Sequence, residues 1–223
     1  MSLYIQVTDK CNMRCKHCCF ACTGKGTFMS EAVFRKCLSL AETYQWHITI
    51  GGGEPTLHPE ILNWVMDAAL TSIDAALDMG APAVLIVTNG KRTEQAIKLA
   101  KLAHLGVIAA EVSQDPWHDA IDARVIGEFT RYNKPNQYLV GGGGRGGKGY
   151  AGIRDVSRGV QNAGRAKKHG IGNRGGCCCG ALFVTPNGDF YHCGCKRTRL
   201  GNILTDDIPK DNLQNLGECE KDI

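Results

Sequence analysis

The chain has 223 residues and a formal net charge of +4, with 43% hydrophobic and 22% charged residues. That is enough to bury one sizeable core and too apolar for a disordered chain. No apolar run approaches the ~20 residues needed to span a bilayer, and the first ten residues read as a short strand rather than a signal peptide. A cytoplasmic protein is expected.

Taken in chain order, Leu3–Val7 is the first predicted strand, and a cysteine-rich loop follows it. Ser30 is a suitable N-cap, with Glu31 in the first turn. Val33, Phe34, Cys37, Leu38, Ala41 and Tyr44 then repeat at helical spacing. Cys37 lies on the apolar face and reads as core. A second strand, His47–Ile50, runs into Gly51-Gly52-Gly53-Glu54-Pro55. The next helix is predicted from about Pro59 to Gly80. Ala83–Thr88 is a third strand ending in Asn89-Gly90, and a helix from about Thr93 to Leu105 stops at Gly106. Val107–Val112 is a fourth strand and Gln137–Val140 a fifth.

Strand–helix alternation of this kind predicts a parallel sheet covered by helices. In a βα barrel, chemistry gathers on the loops after the C-terminal strand ends. The Cys11 loop, Gly51–Pro55, Thr88–Gly90 and Ser113–His118 all take that position.

After residue 140 the texture changes. The loop 141–149 holds seven glycines, and eight Lys/Arg fall between Arg145 and Arg174 (Arg145, Lys148, Arg154, Arg158, Arg165, Lys167, Lys168, Arg174) against one acid, Asp155. This stretch therefore carries +7 and the rest of the chain −3. Such a segment can track a phosphate backbone or a nucleotide by charge, or act as a solvated loop that balances the acidic tail (Asp206, Asp207, Asp211, Glu218, Glu220, Asp222). Ala181–Thr185 and Asp189–His192 form a predicted hairpin around Pro186-Asn187-Gly188. No internal repeat is visible.

Twelve cysteines fall into two groups, five between Cys11 and Cys22 and five between Cys177 and Cys195, with Cys37 and Cys219 apart. Reduced cytosolic thiols in tight clusters point to two metal sites rather than a disulfide framework. Cys11-x3-Cys15-x2-Cys18 can wrap one face of an iron–sulfur cube and leave one iron open. A ferredoxin-like site would need a fourth thiolate. By spacing alone zinc stays open, because Cys19 or Cys22 could complete a four-thiolate site.

Cys11-Asn12-Met13-Arg14-Cys15-Lys16-His17-Cys18 resembles the signature of the radical S-adenosylmethionine (SAM) superfamily, with His17 at its aromatic position. Gly52-Gly53-Glu54-Pro55 resembles the second motif of that family, in the right order and at roughly the right spacing. The resemblance implies an α/β fold: a partial (β/α)6 TIM-like barrel over residues 1–170, with a small Cys-rich β-hairpin extension over 171–223. It implies a [4Fe–4S] cluster on Cys11, Cys15 and Cys18, whose open iron chelates SAM. One electron into the sulfonium would then break a carbon–sulfur bond and yield a radical able to take hydrogen from a substrate. The family's cofactor contacts map onto Gly52, Gly53, Glu54 and Pro55, which hold the methionine amine. They also map onto Asn89 at the third strand end, and onto Ser113 and Asp115 in Ser113-x-Asp115-x2-His118. Arg165 of Gly164-Arg165-Ala166 is the last of them. No match to the family's fifth-strand adenine motif is found.

The Cys-x-Gly-x-Leu-Phe-Val-x-Pro-Asn-Gly run, Cys193 and Leu200-Gly201-Asn202-Ile203 resemble the family's SPASM/Twitch extension. This implies one auxiliary [4Fe–4S] cluster, assigned to Cys177, Cys179, Cys193 and Cys195 with Cys178 and Cys219 in reserve. A zinc ribbon is the alternative. Proteins resembling this one often modify peptides or activate other enzymes, and they draw electrons from a low-potential flavodoxin- or ferredoxin-like donor. A peptide or protein side chain and a nucleotide or nucleic acid are the two leading expected substrate classes, with another small metabolite behind them. A non-catalytic zinc-binding adaptor is the reading from another class.

Overall fold

The computed structural model describes residues 2–132, 150–155, 159–172, 181–196 and 199–206. Its elements are β1 (Ser2–Thr8), α1 (Glu31–Tyr44), β2 (His47–Gly52), a 3-10 turn (Pro55–Leu57), α2 (Ile61–Thr71), α3 (Ile73–Met79), β3 (Val84–Thr88), α4 (Thr93–His104) and β4 (Ala109–Ser113). They continue with α5 (Ala123–Thr130), β5 (Ala151–Arg154), α6 (Gly164–Lys168), β6 (Ala181–Val184), β7 (Asp189–Tyr191) and β8 (Arg199–Asn202).

One sheet holds all eight strands in the order β5-β4-β3-β2-β1-β6-β7-β8. The six strands from β5 to β6 are parallel, and β7 and β8 are antiparallel. Among the described residues the sheet does not close, so the architecture is the expected partial barrel. The hairpin turn forms as predicted: Gly188 N–H donates to Thr185 O at 2.9 Å, and Gly188 has φ +85°. Its first strand, however, pairs in parallel with β1 (Leu3 opposite Leu182, Ile5 opposite Val184), so the hairpin extends the barrel sheet itself.

Residues alternate between faces along each strand. Leu3, Ile5, Val7, Ile48, Ile50, Ile86, Ala110, Val112, Leu182 and Val184 are all buried against the helical layer. In that layer the Phe34 and Trp64 rings stack at 4.2 Å, tying α1 to α2. Burying a side chain of this size contributes about 1.5–3 kcal/mol. The opposite, concave face carries Tyr4, Gln6, Thr49, Leu85, Val87, Glu111, Ser113 and Phe183, a mixed lining rather than a packed interior.

Ser30 caps α1 as expected, its hydroxyl accepting from Val33 N. Three boundaries differ from the sequence reading. The helix predicted from Pro59 to Gly80 breaks at the buried Ser72 into α2 and α3, and Pro59 precedes it. The described fifth strand is Ala151–Arg154, inside the basic stretch, while Gln137–Val140 lies outside the described residues. Ala123–Thr130 forms a helix that had not been assigned; Asp122 caps it by accepting from Arg124 N. No helix among the described residues is long and apolar enough to cross a membrane.

Candidate cofactor site

The loops after β1, β2, β3 and β4 meet at one rim. Cys11 and Cys22 are buried and cluster with Met13, and Cys15, Cys18 and Phe20 pack against them. The eight cysteines among the described residues form no disulfide with one another. Cys11 N–H donates to Thr23 O at 2.7 Å, and Met13 N–H points to Cys11 Sγ at 3.4 Å. Asn89, from the end of β3, reaches across with Nδ2 3.8 Å from the same sulfur and 2.9 Å from Asn12 Oδ1.

The thiols differ in acidity for local reasons. Burial pushes Cys11 up to about 11. Cys18 is held well below the usual thiol range, chiefly because it accepts a hydrogen bond from Cys22; the same bond, with burial, raises Cys22. The hydrogen bond thus favours the thiolate on Cys18 over that on Cys22, and the thiolate is the form that binds metal. Cys22 is tied back by Gln6 Nε2 at 3.8 Å, and Gln6 Oε1 in turn accepts from Lys196 Nζ at 3.0 Å.

The glycine run is explained by close approach. A Cβ on Gly53 would collide with the Lys10 carbonyl, one residue before Cys11. Gly53 N–H donates to Thr8 O and Glu54 N–H to Lys10 O, each at 2.8 Å, so the two loops are laced together. Glu54 is fully buried. Its Oε1 accepts from Thr56 N at 3.0 Å and from the Thr56 and Thr88 hydroxyls at 2.6 Å, and its Oε2 accepts from Asn89 N at 2.6 Å. Burial pushes this carboxyl up, and those four donors pull it back. The structure thus shows Glu54 as a strut between the ends of β2 and β3, with Oε2 accepting once. Pro55 opens the 3-10 turn behind it.

Ser113 closes β4 half-buried. Asp115 has a buried side chain and caps the turn after it by accepting from Trp117 N at 3.0 Å. Its Oδ1 lies 2.9 Å from His118 Nδ1 and its Oδ2 3.7 Å from His17 Nε2. Burial opposes protonation of His118, but Asp115 and Cys15 outweigh it and raise the ring to about 9. Burial lowers His17. His17 Nδ1 and Asp115 Oδ2 are buried without a hydrogen-bond partner. Sequence reading had not anticipated that His118 comes beside Cys15.

Arg165 reaches the rim from α6, but it turns to the cysteine loop. Its Nε donates to Cys15 O at 2.9 Å, its Nη1 to Cys22 O at 2.7 Å and its backbone N to Cys18 O at 2.9 Å. Gly164 has φ +54°, and a Cβ there would collide with the Cys19 carbonyl, so only glycine lets α6 approach this closely. Arg165 Nη2 stays buried without a partner.

Of the second cysteine group, Cys193 is buried and Cys195 half-buried in the turn after β7. A Cβ on Gly194 between them would sit 3.1 Å from Phe20, so this turn lies against the first cysteine loop. Cys177, Cys178, Cys179 and Cys219 lie outside the described residues, as do Arg145, Lys148, Arg158 and Arg174. On the concave face Glu111 was also missed. It is buried, which raises its carboxyl, while Arg154 lowers it.

Three thiols in one apolar-lined loop, a glycine backbone laid against that loop and partnerless buried polar atoms facing it fit an iron–sulfur cluster with a polar cofactor beside it. The family model for the radical SAM superfamily matches residues 5–137, more than half of the chain. Solved structures share the fold. One is BtrN in complex with AdoMet and 2-DOIA, with a TM-score of 0.62 and 19% identity over 99% of this chain and 82% of that one. Another is anSMEcpe with bound AdoMet and the Kp18Cys peptide, with a TM-score of 0.54 and 16% identity over 99% and 81%. The chain belongs to the radical SAM superfamily, and it is an enzyme that binds a [4Fe–4S] cluster and SAM.

Proposed function

We propose that Cys11, Cys15 and Cys18 hold the cluster and that SAM lies along the rim between the Gly52–Pro55 run and Ser113–Asp115. The substrate in this reading is a peptide or protein side chain that enters the concave face. The observation that carries it is the lacing of the Gly53-Glu54 backbone to the residues just before Cys11. It fixes the second motif beside the first thiol.

Held by Cys11, Cys15 and Cys18, a [4Fe–4S] cluster would supply the electron for cleavage of SAM and so a radical able to take hydrogen from an unactivated C–H bond. That electron comes from a flavodoxin- or ferredoxin-like donor. The protein's part is positioning and exclusion of water. Cys22 and Arg165 preorganise the cysteine loop, one through Cys18 and the other through loop carbonyls. Glu54 fixes the ends of β2 and β3, so that the bare backbone of Gly52 and Gly53 and the side chain of Asn89 face the methionine end. Ser113 and Asp115 offer polar atoms to the ribose or carboxylate. Arg165 adds the charge of its partnerless Nη2 near the same loop. Stacked Tyr4 and Phe183, 5.0 Å apart, together with Leu85 and Val87, keep the concave face dry. Among the described residues of that face Glu111 is the carboxyl placed to exchange a proton with substrate.

In the same proposal Cys193 and Cys195, with Cys177 and Cys179, hold an auxiliary [4Fe–4S] cluster in a Twitch-like extension over 171–223. Its support is the contact of the Cys193–Cys195 turn with Phe20. The peptide reading draws support from anSMEcpe, a fold relative solved with a peptide.

A nucleotide or nucleic-acid substrate is the second reading, favoured by the +7 carried between Arg145 and Arg174. Arg165 is already spent on the loop and Arg154 faces Glu111, so within the described part of that stretch the exposed Lys167 and Lys168 remain for phosphate. Turnover of an acid-free peptide, unchanged after charge reversal of Lys167 and Lys168, supports the peptide reading. Salt-sensitive binding of RNA, DNA or nucleotide, lost in the same variant, supports the second.

A further inference from the structure

Cys15, His17 and His118 bring one thiol sulfur and one nitrogen from each imidazole within 4.8 Å of one another. A tetrahedral ion with bonds of about 2.3 Å to sulfur and 2.0–2.1 Å to nitrogen needs separations of roughly 3.3–3.8 Å. The donors would have to close by no more than about 1.5 Å. Both imidazoles are mostly buried, and they meet edge to face with centroids 4.8 Å apart. Trp117 packs on His17 at 5.1 Å, which limits its freedom.

Behind them the fully buried Asp115 carboxylate contacts both rings, at 2.9 Å from His118 and 3.7 Å from His17. This is the carboxylate–imidazole support that orients metal-binding histidines. Asp115 Oδ2 and His17 Nδ1 have no hydrogen-bond partner. One carboxylate oxygen and one imidazole nitrogen beside this thiol are thus buried without a partner, capacity that a bound ion would use.

We propose that the cluster-free chain binds one zinc-type divalent ion through Cys15, His17 and His118, with Asp115 positioning the two rings. One soft thiolate and two imidazoles suit zinc. Because this ion takes Cys15, it and the iron–sulfur cluster exclude each other; that clause rests on the reading of Cys15 as a cluster ligand. Zinc would hold the iron-free enzyme closed to assembly until it is withdrawn.

The test uses the full chain, stripped of iron under anaerobic conditions and titrated with Co2+ as a spectroscopic probe. The C-terminal thiols can take up cobalt separately, so the readout is the difference between wild type and His118→Gly. Expected is the loss of one equivalent, whose difference spectrum shows tetrahedral d–d bands and a single thiolate-to-metal charge-transfer band. Added imidazole restores it in His118→Gly, which separates ligand loss from misfolding. Cys11→Ser and Cys18→Ser keep it, and Asp115→Asn weakens it about 10-fold or more. Retention in His118→Gly, or loss in Cys11→Ser and Cys18→Ser, overturns the site and returns the metal to the three thiols. In wild type, Zn2+ loaded first should suppress iron uptake during reconstitution. Wild type that binds cobalt as described but takes up no iron at the first loop would instead overturn the cluster reading and leave the zinc site standing.

Discussion

Replacing Arg165 with methionine keeps most of the side chain's length and removes the guanidinium that holds Cys15 O at 2.9 Å and Cys22 O at 2.7 Å. Hydrogen bonds from a charged donor are worth about 1.5–3 kcal/mol each, so two amount to roughly 3–6 kcal/mol gross. The buried Nη2 has no partner, and burying it without compensation costs part of this. A net loss on the order of 2–3 kcal/mol is expected, because the backbone bond from Arg165 N to Cys18 O remains. At this chain length each kcal/mol moves Tm by about 2–4 °C, so R165M should melt roughly 5–10 °C lower. The measurement is thermal unfolding of the cluster-free chain under anaerobic conditions, paired with the rate at which a chelator strips iron from the reconstituted protein. Arg165→Lys offers one compact charge for two carbonyls and should recover no more than about half of the lost stability. An R165M chain that melts within about 1 °C of wild type and loses iron no faster would refute this account of the loop.

Gly53→Ala places a Cβ against the Lys10 carbonyl, and backbone there has nowhere to yield. It should destabilise by about 1–3 kcal/mol and weaken SAM binding, measured by calorimetry on the reconstituted protein. Unchanged affinity would show that the two loops are not locked together. Glu111 gives a pH signature. Burial raises its folded carboxyl, so the folded state holds more protons than the unfolded state, and stability falls as pH climbs from about 4.3 toward the raised value. Urea unfolding at pH 5, 6 and 7 should show a shallower fall in Glu111→Gln than in wild type, with the raised Glu54 keeping its own share; parallel profiles would contradict the assignment. Cys22→Ser keeps a donor to Cys18 and removes a thiol that the proposal leaves unligated. Iron at the first site and 5′-deoxyadenosine yield should stay within about twofold, whereas a loss comparable to Cys15→Ser would make Cys22 a ligand.

The cysteine loop and the Gly51–Pro55 run were legible because each lies within a few residues of a strand end, where spacing alone brings the groups together. Ser30, Gly188 and the apolar face of α1 were legible for the same local reason. What escaped the sequence depends on contacts across the fold. Arg165 meets Cys15 from 150 positions away, and its approach rests on a glycine at φ +54° that resembles any loop glycine in sequence. His118 reaches Cys15 only because β1 and β4 both end at one rim. Strand β5 is four residues long and follows a glycine-rich run, so no alternation announced it. The helix break at Ser72 was hidden because good helix formers continue on both sides. Strand alternation would have flagged Glu111, which faces away from its buried neighbours Ala110 and Val112. The hairpin turn was read correctly, but a turn fixes only its own two strands. The pairing of β6 with β1 is set by Leu182 and Val184 joining the same core as Leu3 and Ile5. Family membership sets the zinc-adaptor reading of the whole chain aside, because catalysis with SAM needs the cluster.

The central claim is tested most directly by anaerobic reconstitution with iron and sulfide, followed by an iron count and assay of 5′-deoxyadenosine after SAM and a reductant are added. The account predicts about eight irons per chain with 5′-deoxyadenosine formed, and in Cys15→Ala a drop to about four with no product. A chain that takes up no iron, or a Cys15→Ala variant that still makes 5′-deoxyadenosine, would contradict the placement of the reactive cluster on Cys11, Cys15 and Cys18.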